Sequence, residues 1–237
     1  MALVAERVTE GFEPIYNKMV GSAPPPVEYE LTPNTAFSKG DLVVLTNGLV
    51  ARAAAGATNV LGVMAEAFTT ATNPSAKKTK GSVYDNPYNV YRCTFANHRD
   101  ATATGGTTTT LVDTALTTST DSVWNGALLY IYEGKAAGSL RTVKTYTGVS
   151  DTLTVEEPFP EAPDTTSKYI LLGNGGAASD AINVGKVGVN IVDENTIDAG
   201  ATTASEAGPL VVVGLNIDLI KNLMMDVMIR KHIFNTP

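Results

Sequence analysis

The chain has 237 residues, of which 43% are hydrophobic, so it can bury a core and wholesale disorder is excluded. A net charge of −7 excludes a general phosphate-binding surface, and no nucleic-acid partner is expected. The single cysteine, Cys93, excludes an intrachain disulfide. Length and composition fit one large all-β domain or two small ones.

Charged residues make up only 17% of the chain, below the roughly 25% that is usual in soluble domains. Thr, Ala, Gly and Asn take their place, and such a surface costs less to desolvate against a protein partner, which indicates assembly. The N-terminus lacks the order of a signal peptide, and the apolar stretch 210–234 carries too many charges to cross a bilayer. We therefore expect synthesis in a cytoplasm and no membrane partner.

Residues 1–26 are predicted to form an extended N-terminal arm. Apolar residues are scattered through this segment without a sustained period. It ends in Pro24-Pro25-Pro26, which imposes an extended polyproline conformation. The segment either reaches a neighbouring molecule or forms a strand against its own domain, and the sequence leaves both interpretations open.

Residues 27–100 are predicted to form a β-barrel-like domain that begins as a meander. Apolar and polar residues alternate over 27–31, as in a half-buried strand. Asn47-Gly48 between two apolar runs predicts a two-residue hairpin, because both residues accept a positive φ. Further strands are predicted at 60–65 and 88–95.

Residues 101–237 are predicted to form a second, sandwich-like β-rich domain, with the boundary near residues 96–106. The low-complexity segment 102–110 predicts a mobile loop. Six further segments have strand character and are separated by turns rich in Gly, Pro and Asp. They are residues 128–132, 140–146, 152–155, 168–172, 184–192 and 210–213.

The tail from Asn216 onward has two interpretations. Polar residues recur every four positions, which predicts a C-terminal helix with an Asp226–Arg230 ion pair. Apolar and polar residues also alternate over 224–231, which favours a strand instead. Together these elements predict a mainly β fold.

Residue types that carry chemistry are few. The chain has two histidines, His98 and His232, and no serine elbow accompanies either. Cys93 and His98 lie five residues apart on a predicted strand and so point to opposite faces. Cys93 is in phase with apolar neighbours, as a buried hydrophobe would be. We therefore predict that the protein is not an enzyme.

Ligand sites are equally sparse, and we predict no metal, no cofactor and no small-molecule substrate. The acidic segment 193–198 lacks the glycine and glutamate of a calcium loop. The basic run Lys77, Lys78 and Lys80 is typical of a solvated loop tip.

Two stretches carry a resemblance to known proteins. Residues 37–53, which read FSKGDLVVLTNGLVARA, followed by VLGVMA at 60–65, resemble the small β-barrel of bacteriophage capsid decoration (cement) proteins. The strands at 107–155 are similar to β-domains of many phage virion proteins. The resemblance covers about half of the chain and leaves the residues from 177 onward without a counterpart.

The resemblance implies a virion structural protein on the capsid exterior, a homotrimer that bridges major capsid protein subunits. The arm would then be a strap that adds to a neighbour's sheet edge, and its deletion (residues 1–26) should weaken binding to shells without unfolding the remainder. The predicted contact residues are Phe12, Ile15, Tyr16, Pro24, Pro25, Pro26, Val27 and Tyr29.

Two other functions remain as alternatives. One is a structural subunit of a phage tail or baseplate, which sequence barely separates from a decoration protein. The other is a carbohydrate-binding β-sandwich module. That function predicts a platform of exposed aromatic side chains, for which Trp124, Tyr130 and Tyr132 are the candidates.

Overall fold

The computed structural model describes residues 11–69, 80–173, 181–202 and 208–233. The chain is mainly β, with 48% strand and 4% helix, which confirms the predicted fold class. In chain order the strands are β1 (Glu13–Asn17), β2 (Val27–Glu30), β3 (Ala36–Phe37), β4 (Leu42–Thr46), β5 (Leu49–Arg52), β6 (Gly62–Met64), β7 (Phe68–Thr69), β8 (Lys80–Tyr84), β9 (Asn89–Ala96), β10 (Arg99–Thr102), β11 (Gly105–Thr107), β12 (Thr110–Val112), β13 (Leu128–Glu133), β14 (Leu140–Thr147), β15 (Thr152–Val155), β16 (Lys168–Leu171), β17 (Val187–Asp193), β18 (Thr196–Thr202), β19 (Leu210–Gly214) and β20 (Met224–Ile229). A 3-10 turn covers Gly148–Ser150, and one short helix, α1, covers Ile217–Lys221.

The first sheet has the strand order β2-β8-β6-β4-β5. Leu31, just after β2, bridges Val50 of β5, so the two edges of the sheet meet and it curls into a barrel. The predicted hairpin is confirmed: Asn47 and Gly48 connect β4 to β5 with φ of 51° and 80°. Seven buried apolar residues fill this barrel: Leu31, Phe37, Val43, Val50, Leu61, Met64 and Val83.

The middle sheet has seven strands in the order β10-β16-β13-β14-β15-β12-β11. Residues 140–142 of β14 pair with β13, and residues 143–147 pair with β15, with a register shift between Val143 and Thr145. Because a bulge bends its strand, the sheet folds over its own apolar core. The mobile loop predicted at 102–110 is wrong: Gly105–Thr107 and Thr110–Val112 pair as a hairpin, in which Thr hydroxyls bond to one another and to the backbone.

The third sheet contains a closed barrel of five strands in the order β9-β18-β17-β19-β20, with β20 returning to pair with β9. β9 pairs with three strands, because the two halves of one of its edges pair with different strands. Along one edge, its first half pairs with β1 and its second half with β18, which runs parallel to it. Its other edge pairs with β20. We call this unit the closed barrel.

The sheets group the strands differently from a division near residues 96–106. β9 precedes that boundary, yet the other four strands of the closed barrel come from residues 187–229. The middle sheet, from Arg99 to Leu171, lies in sequence between the parts of the closed barrel.

The predicted C-terminal helix is correct for little more than one turn, from Ile217 to Lys221. The Asn216 side chain caps it by accepting a hydrogen bond from the Leu219 amide at 2.9 Å. Leu223 then adopts a φ of 53°, and the chain continues as β20. The predicted Asp226–Arg230 pair is wrong, because Asp226 lies opposite Arg92 on β9 and bonds to its guanidinium at 2.8 and 3.1 Å.

Candidate functional site

The exposed apolar side chains concentrate near the N-terminal segment. Of the seven large apolar residues that are exposed among the described residues, four surround the turn after β1. These four, Tyr16, Met19, Val20 and Tyr88, form what we call the apolar knob. Met19 is 71% exposed and Val20 67%, and the Tyr88 carbonyl accepts a hydrogen bond from the Lys18 amide at 3.1 Å.

The Asn17 side chain fixes, by hydrogen bonds, the turn that carries the apolar knob. Its side chain is buried, and its Oδ1 accepts hydrogen bonds from the amides of Met19 (2.9 Å) and Val20 (3.2 Å). Its Nδ2 donates to Asn86 at 3.1 Å and to Asn89 at 2.8 Å. The first two bonds fix the turn itself and the other two tie it to the start of β9, so the apolar side chains are displayed on a fixed support.

The predicted contact residues divide between core and surface. Phe12 is 1% exposed and belongs to the core of the closed barrel, where it cannot touch a partner. Tyr29 is half-buried and its hydroxyl donates to Asp85 at 2.6 Å; burial, with this bond, raises the pKa of Tyr29. The remaining six are half-buried or exposed at the surface: Ile15, Tyr16, Pro24, Pro25, Pro26 and Val27.

Each of the two interpretations of the arm therefore applies to a different part of the segment. Residues 13–17 form a strand on the chain's own sheet, whereas residues 18–26 lie at the surface in turn and extended conformations. Residues 1–10 lie outside the described part. Deleting residues 1–26 would remove β1 and a buried phenylalanine, so the deletion does not test binding alone.

Cys93 is a structural residue. Its side chain is 0% exposed, and its thiol lies 3.6 Å from the Met225 carbonyl as a weak donor. Burial raises the pKa of the Cys93 thiol, which suppresses the thiolate needed for nucleophilic attack. The predicted placement of Cys93 with Tyr91 and Phe95 on a buried face is confirmed.

The acidic segment 193–198 forms the tight connection between β17 and β18. Asp193 accepts a hydrogen bond from the Asn195 amide at 2.8 Å, as in an ordinary Asx turn. Over residues 11–69, 80–173, 181–202 and 208–233, no group of three or more His, Cys, Asp or Glu side chains is arranged to hold a metal ion. Of the basic run, Lys80 lies on β8, 3.6 Å from Glu30, while Lys77 and Lys78 fall outside the described residues.

A cavity of about 360 Å³ opens where the closed barrel meets the middle sheet. Its floor is the two-residue connector between β9 and β10, in which Asn97 adopts a φ of 60°, a conformation that Asn tolerates better than most residues. Asn97 also donates to Asp198 of β18 at 3.1 Å. We call this cavity the polar cleft, and it is lined by Asn97, His98, Arg99, Asp100, Trp124 and Gly173.

A buried network orients Arg99 at the polar cleft. Its Nη2 donates to Asp113 at 2.9 Å and its Nε to the Tyr169 hydroxyl at 3.3 Å, while that hydroxyl donates to Asp113 at 2.6 Å. Burial alone would raise the pKa of Asp113, but the bonds from Tyr169 and Arg99 outweigh it and lower that pKa. The guanidinium charge is thus balanced by a buried carboxylate.

Two other residues of the polar cleft are affected by their surroundings: His98 has a shifted pKa, and Asp100 accepts a hydrogen bond. Burial lowers the pKa of His98, against the opposing influence of the nearby Asp100 carboxylate, so the imidazole is neutral at pH 7. Asp100 Oδ1 accepts a hydrogen bond from the Tyr132 hydroxyl at 2.7 Å. The place of His98 in a cleft is not visible in the sequence, because only the fold brings Trp124 and Gly173 next to it.

The aromatic platform predicted for a carbohydrate module is not formed by its candidates. Trp124 is 3% exposed and Tyr130 2%, so neither presents a ring face to solvent, and Tyr132 is half-buried with its hydroxyl bonded to Asp100.

Comparison with protein-family models, curated proteins and solved structures finds no match to this chain. Among the described residues, no helix has the length and apolar character needed to cross a bilayer.

Proposed function

We propose that this chain is a virion structural protein, a bacteriophage capsid decoration protein that binds the outer surface of an icosahedral shell and bridges major capsid protein subunits. The observation that carries the proposal is the apolar knob, a rigidly supported group of exposed apolar side chains. The resemblance of residues 37–65 to cement proteins directs it to a capsid. The protein would act as a homotrimer on the capsid exterior.

Exposed apolar side chains contribute more to binding when the backbone that carries them is already fixed before the partner binds. Met19 and Val20 stand on a turn fixed by Asn17, so little backbone freedom is lost when they are buried by a partner. Burying an apolar side chain of this size yields about 1.5–3 kcal/mol, which is modest for one contact. Many copies on one lattice, each linked to its neighbours, turn modest contacts into strong retention.

The surface composition supports the same function. Only 17% of the residues are charged, so few charges have to be desolvated when this surface packs against a neighbour. A shell-bound protein must place large areas against its neighbours.

The test is binding of purified protein to expanded, undecorated phage heads, with bound copies counted per shell. The wild type should saturate at a number fixed by the lattice symmetry. The double variant Met19→Ser/Val20→Ser should bind at least about tenfold more weakly, equivalent to a loss of roughly 1.4 kcal/mol.

Val149→Ser is the matched control, because Val149 is 92% exposed on the 3-10 turn of the middle sheet and lies outside the apolar knob. It should bind as the wild type does. Equal binding by the knob variant would remove the knob from the interface, and absence of binding to any shell would favour the tail or baseplate function.

A further inference from the structure

Two Asn-Gly pairs lie in the described part of the chain, and the fold surrounds them differently. One is Asn47-Gly48, at the tip of the β4–β5 hairpin, and the other is Asn125-Gly126, just before β13. A third pair, Asn174-Gly175, falls outside the described residues. Because the first two pairs have the same two residue types, any difference in their chemistry must come from the structure around them.

An Asn-Gly pair can deamidate without an enzyme. The glycine backbone nitrogen gives up its proton to hydroxide or water and bonds to the asparagine Cγ, while the Cγ–Nδ2 bond breaks and ammonia leaves. Water then opens the five-membered succinimide at one of its two carbonyls, which gives aspartate or isoaspartate. Glycine favours the ring closure because it has no Cβ to hinder the approach. Both reacting groups must be free of other partners.

The Asn47-Gly48 pair has both reacting groups free. Both residues are exposed. Over the residues that the structure describes, no group forms a hydrogen bond with the Asn47 side chain or with the Gly48 amide. A Cβ at Gly48 would meet nothing within 4 Å, so there is also room for the ring and for the water that opens it.

The turn at Asn47 can also open locally. Ring closure rotates the bond between Cα and the carbonyl carbon of Asn47, so the tight turn must open briefly. It is held by the Thr46–Leu49 pair at the end of the β4–β5 ladder, and Thr46 is itself exposed. A hairpin tip of this kind opens at little cost, because few packed side chains have to separate.

The Asn125-Gly126 pair has both reacting groups occupied. The Gly126 amide donates to the Val143 carbonyl at 2.8 Å, and Asn125 Oδ1 accepts a hydrogen bond from the Tyr146 amide at 3.0 Å. Val143 and Tyr146 are buried in the middle sheet, so the two groups are released only when that sheet opens.

We propose that Asn47 is a site of spontaneous deamidation in the folded protein, whereas the fold protects Asn125. The reaction consumes water and releases ammonia, and nothing is oxidised or reduced. Both products add one negative charge at the hairpin tip. The proposal does not depend on the apolar knob or on the capsid function.

Isoaspartate at residue 47 changes the turn itself. Its main chain runs through the former side chain and is one carbon atom longer, whereas a two-residue hairpin fixes the register of its strands by its length. Strands β4 and β5 belong to the barrel formed by the first sheet. We therefore expect the modified protein to be less stable than the fresh protein.

The test is incubation of the full chain at mildly alkaline pH in H₂¹⁸O, followed by peptide mapping by mass spectrometry. Ring opening incorporates one heavy oxygen, so each converted position is identified separately. In the folded protein Asn47 should convert at least about tenfold faster than Asn125. In urea the two positions should convert at similar rates. Conversion of Asn47 in urea but not in the folded protein, or equal rates at both positions in the folded protein, would overturn the proposal.

Asn47→Gly is the matched variant, because Gly-Gly also fits a two-residue hairpin and carries no amide. The wild type, aged under native conditions, should unfold at a lower urea concentration than the fresh wild type. The variant, aged in the same way, should keep the midpoint of its own fresh sample. Equal losses in both proteins would show that conversion at residue 47 does not weaken the hairpin and would contradict the expected consequence.

Discussion

Single polar residues at buried positions hold this fold together by serving several groups at once. Asp113 is 1% exposed, and it accepts hydrogen bonds from Arg99, Tyr169 and the Ala115 amide. Asn17 plays the same part beneath the apolar knob with four bonds. A buried polar side chain is favourable only when its bonds are complete, and these two residues meet that condition.

His232 makes stability depend on pH. It is 1% exposed, and burial lowers its pKa below the ordinary value near 6.5. As pH falls through that value the unfolded chain binds the proton more readily than the folded one, so the free energy of unfolding should decrease from pH 7 to pH 5. Urea unfolding at both pH values measures the loss.

His232→Gln is the matching variant, because an amide does not titrate in this range. Its loss of stability between pH 7 and pH 5 should be smaller than that of the wild type, with His98, whose pKa burial also lowers, accounting for part of the remainder. An identical loss in both proteins would show that His232 does not contribute.

At the scale of elements, the loop between β13 and β14 contains two glycines with similar positive φ angles and different surroundings. Gly134 and Gly138 have φ of 79° and 86°. A Cβ at Gly134 would collide with the Thr166 carbonyl oxygen, whereas one at Gly138 meets nothing within 4 Å.

Gly138→Ala should therefore cost only the strain of a left-handed residue, about 1–2 kcal/mol. Gly134→Ala should cost about 1–3 kcal/mol more, because the backbone must also move. Denaturant midpoints of the two variants measure the difference, and equal midpoints would contradict it.

Secondary-structure elements were predictable where the sequence pattern that specifies them involves only neighbouring residues. The Asn47-Gly48 turn is set by the φ preference of two residues, and the structure confirms it. The tail was predictable only in part: alternation over 224–231 favoured the strand that β20 confirms, but a helical pattern competed with it, and the local sequence does not show the pairing with β9 and β19 that decides between them. The four-residue spacing of Asp226 and Arg230 was a coincidence of sequence, since Arg92 is the partner of Asp226.

At the scale of the whole molecule, the described part of the N-terminal segment, residues 11–26, contributes to stability as well as to the surface. Removing them takes away β1 and Phe12, and loss of a buried phenylalanine side chain typically costs about 3–5 kcal/mol. The truncated protein should unfold at a clearly lower temperature than the wild type.

The Met19→Ser/Val20→Ser variant is the control for this comparison, because both side chains are exposed and the change should be within about 0.5 kcal/mol. An unchanged melting temperature of the truncated protein would mean that β1 adds nothing to the closed barrel.

Neither candidate site was fully visible in the sequence. The N-terminal segment was recognised from its apolar residues, but Met19 and Val20 were not selected, since their exposure depends on how Asn17 bonds to Asn86 and Asn89. The polar cleft joins residues 97–100 to Trp124 and Gly173, and only the tertiary fold brings them together.

The membership of β9 in the closed barrel sets the order of events during synthesis. Thr94 pairs with Met224 and Val90 with Met228, so the strand waits for residues that leave the ribosome about 130 positions later. The middle sheet, whose strands pair within residues 99–171, can form first. Such distant pairing slows folding, and a nascent chain that stalls before β20 carries β9 with an unpaired edge, the kind of edge that recruits chaperones or aggregates.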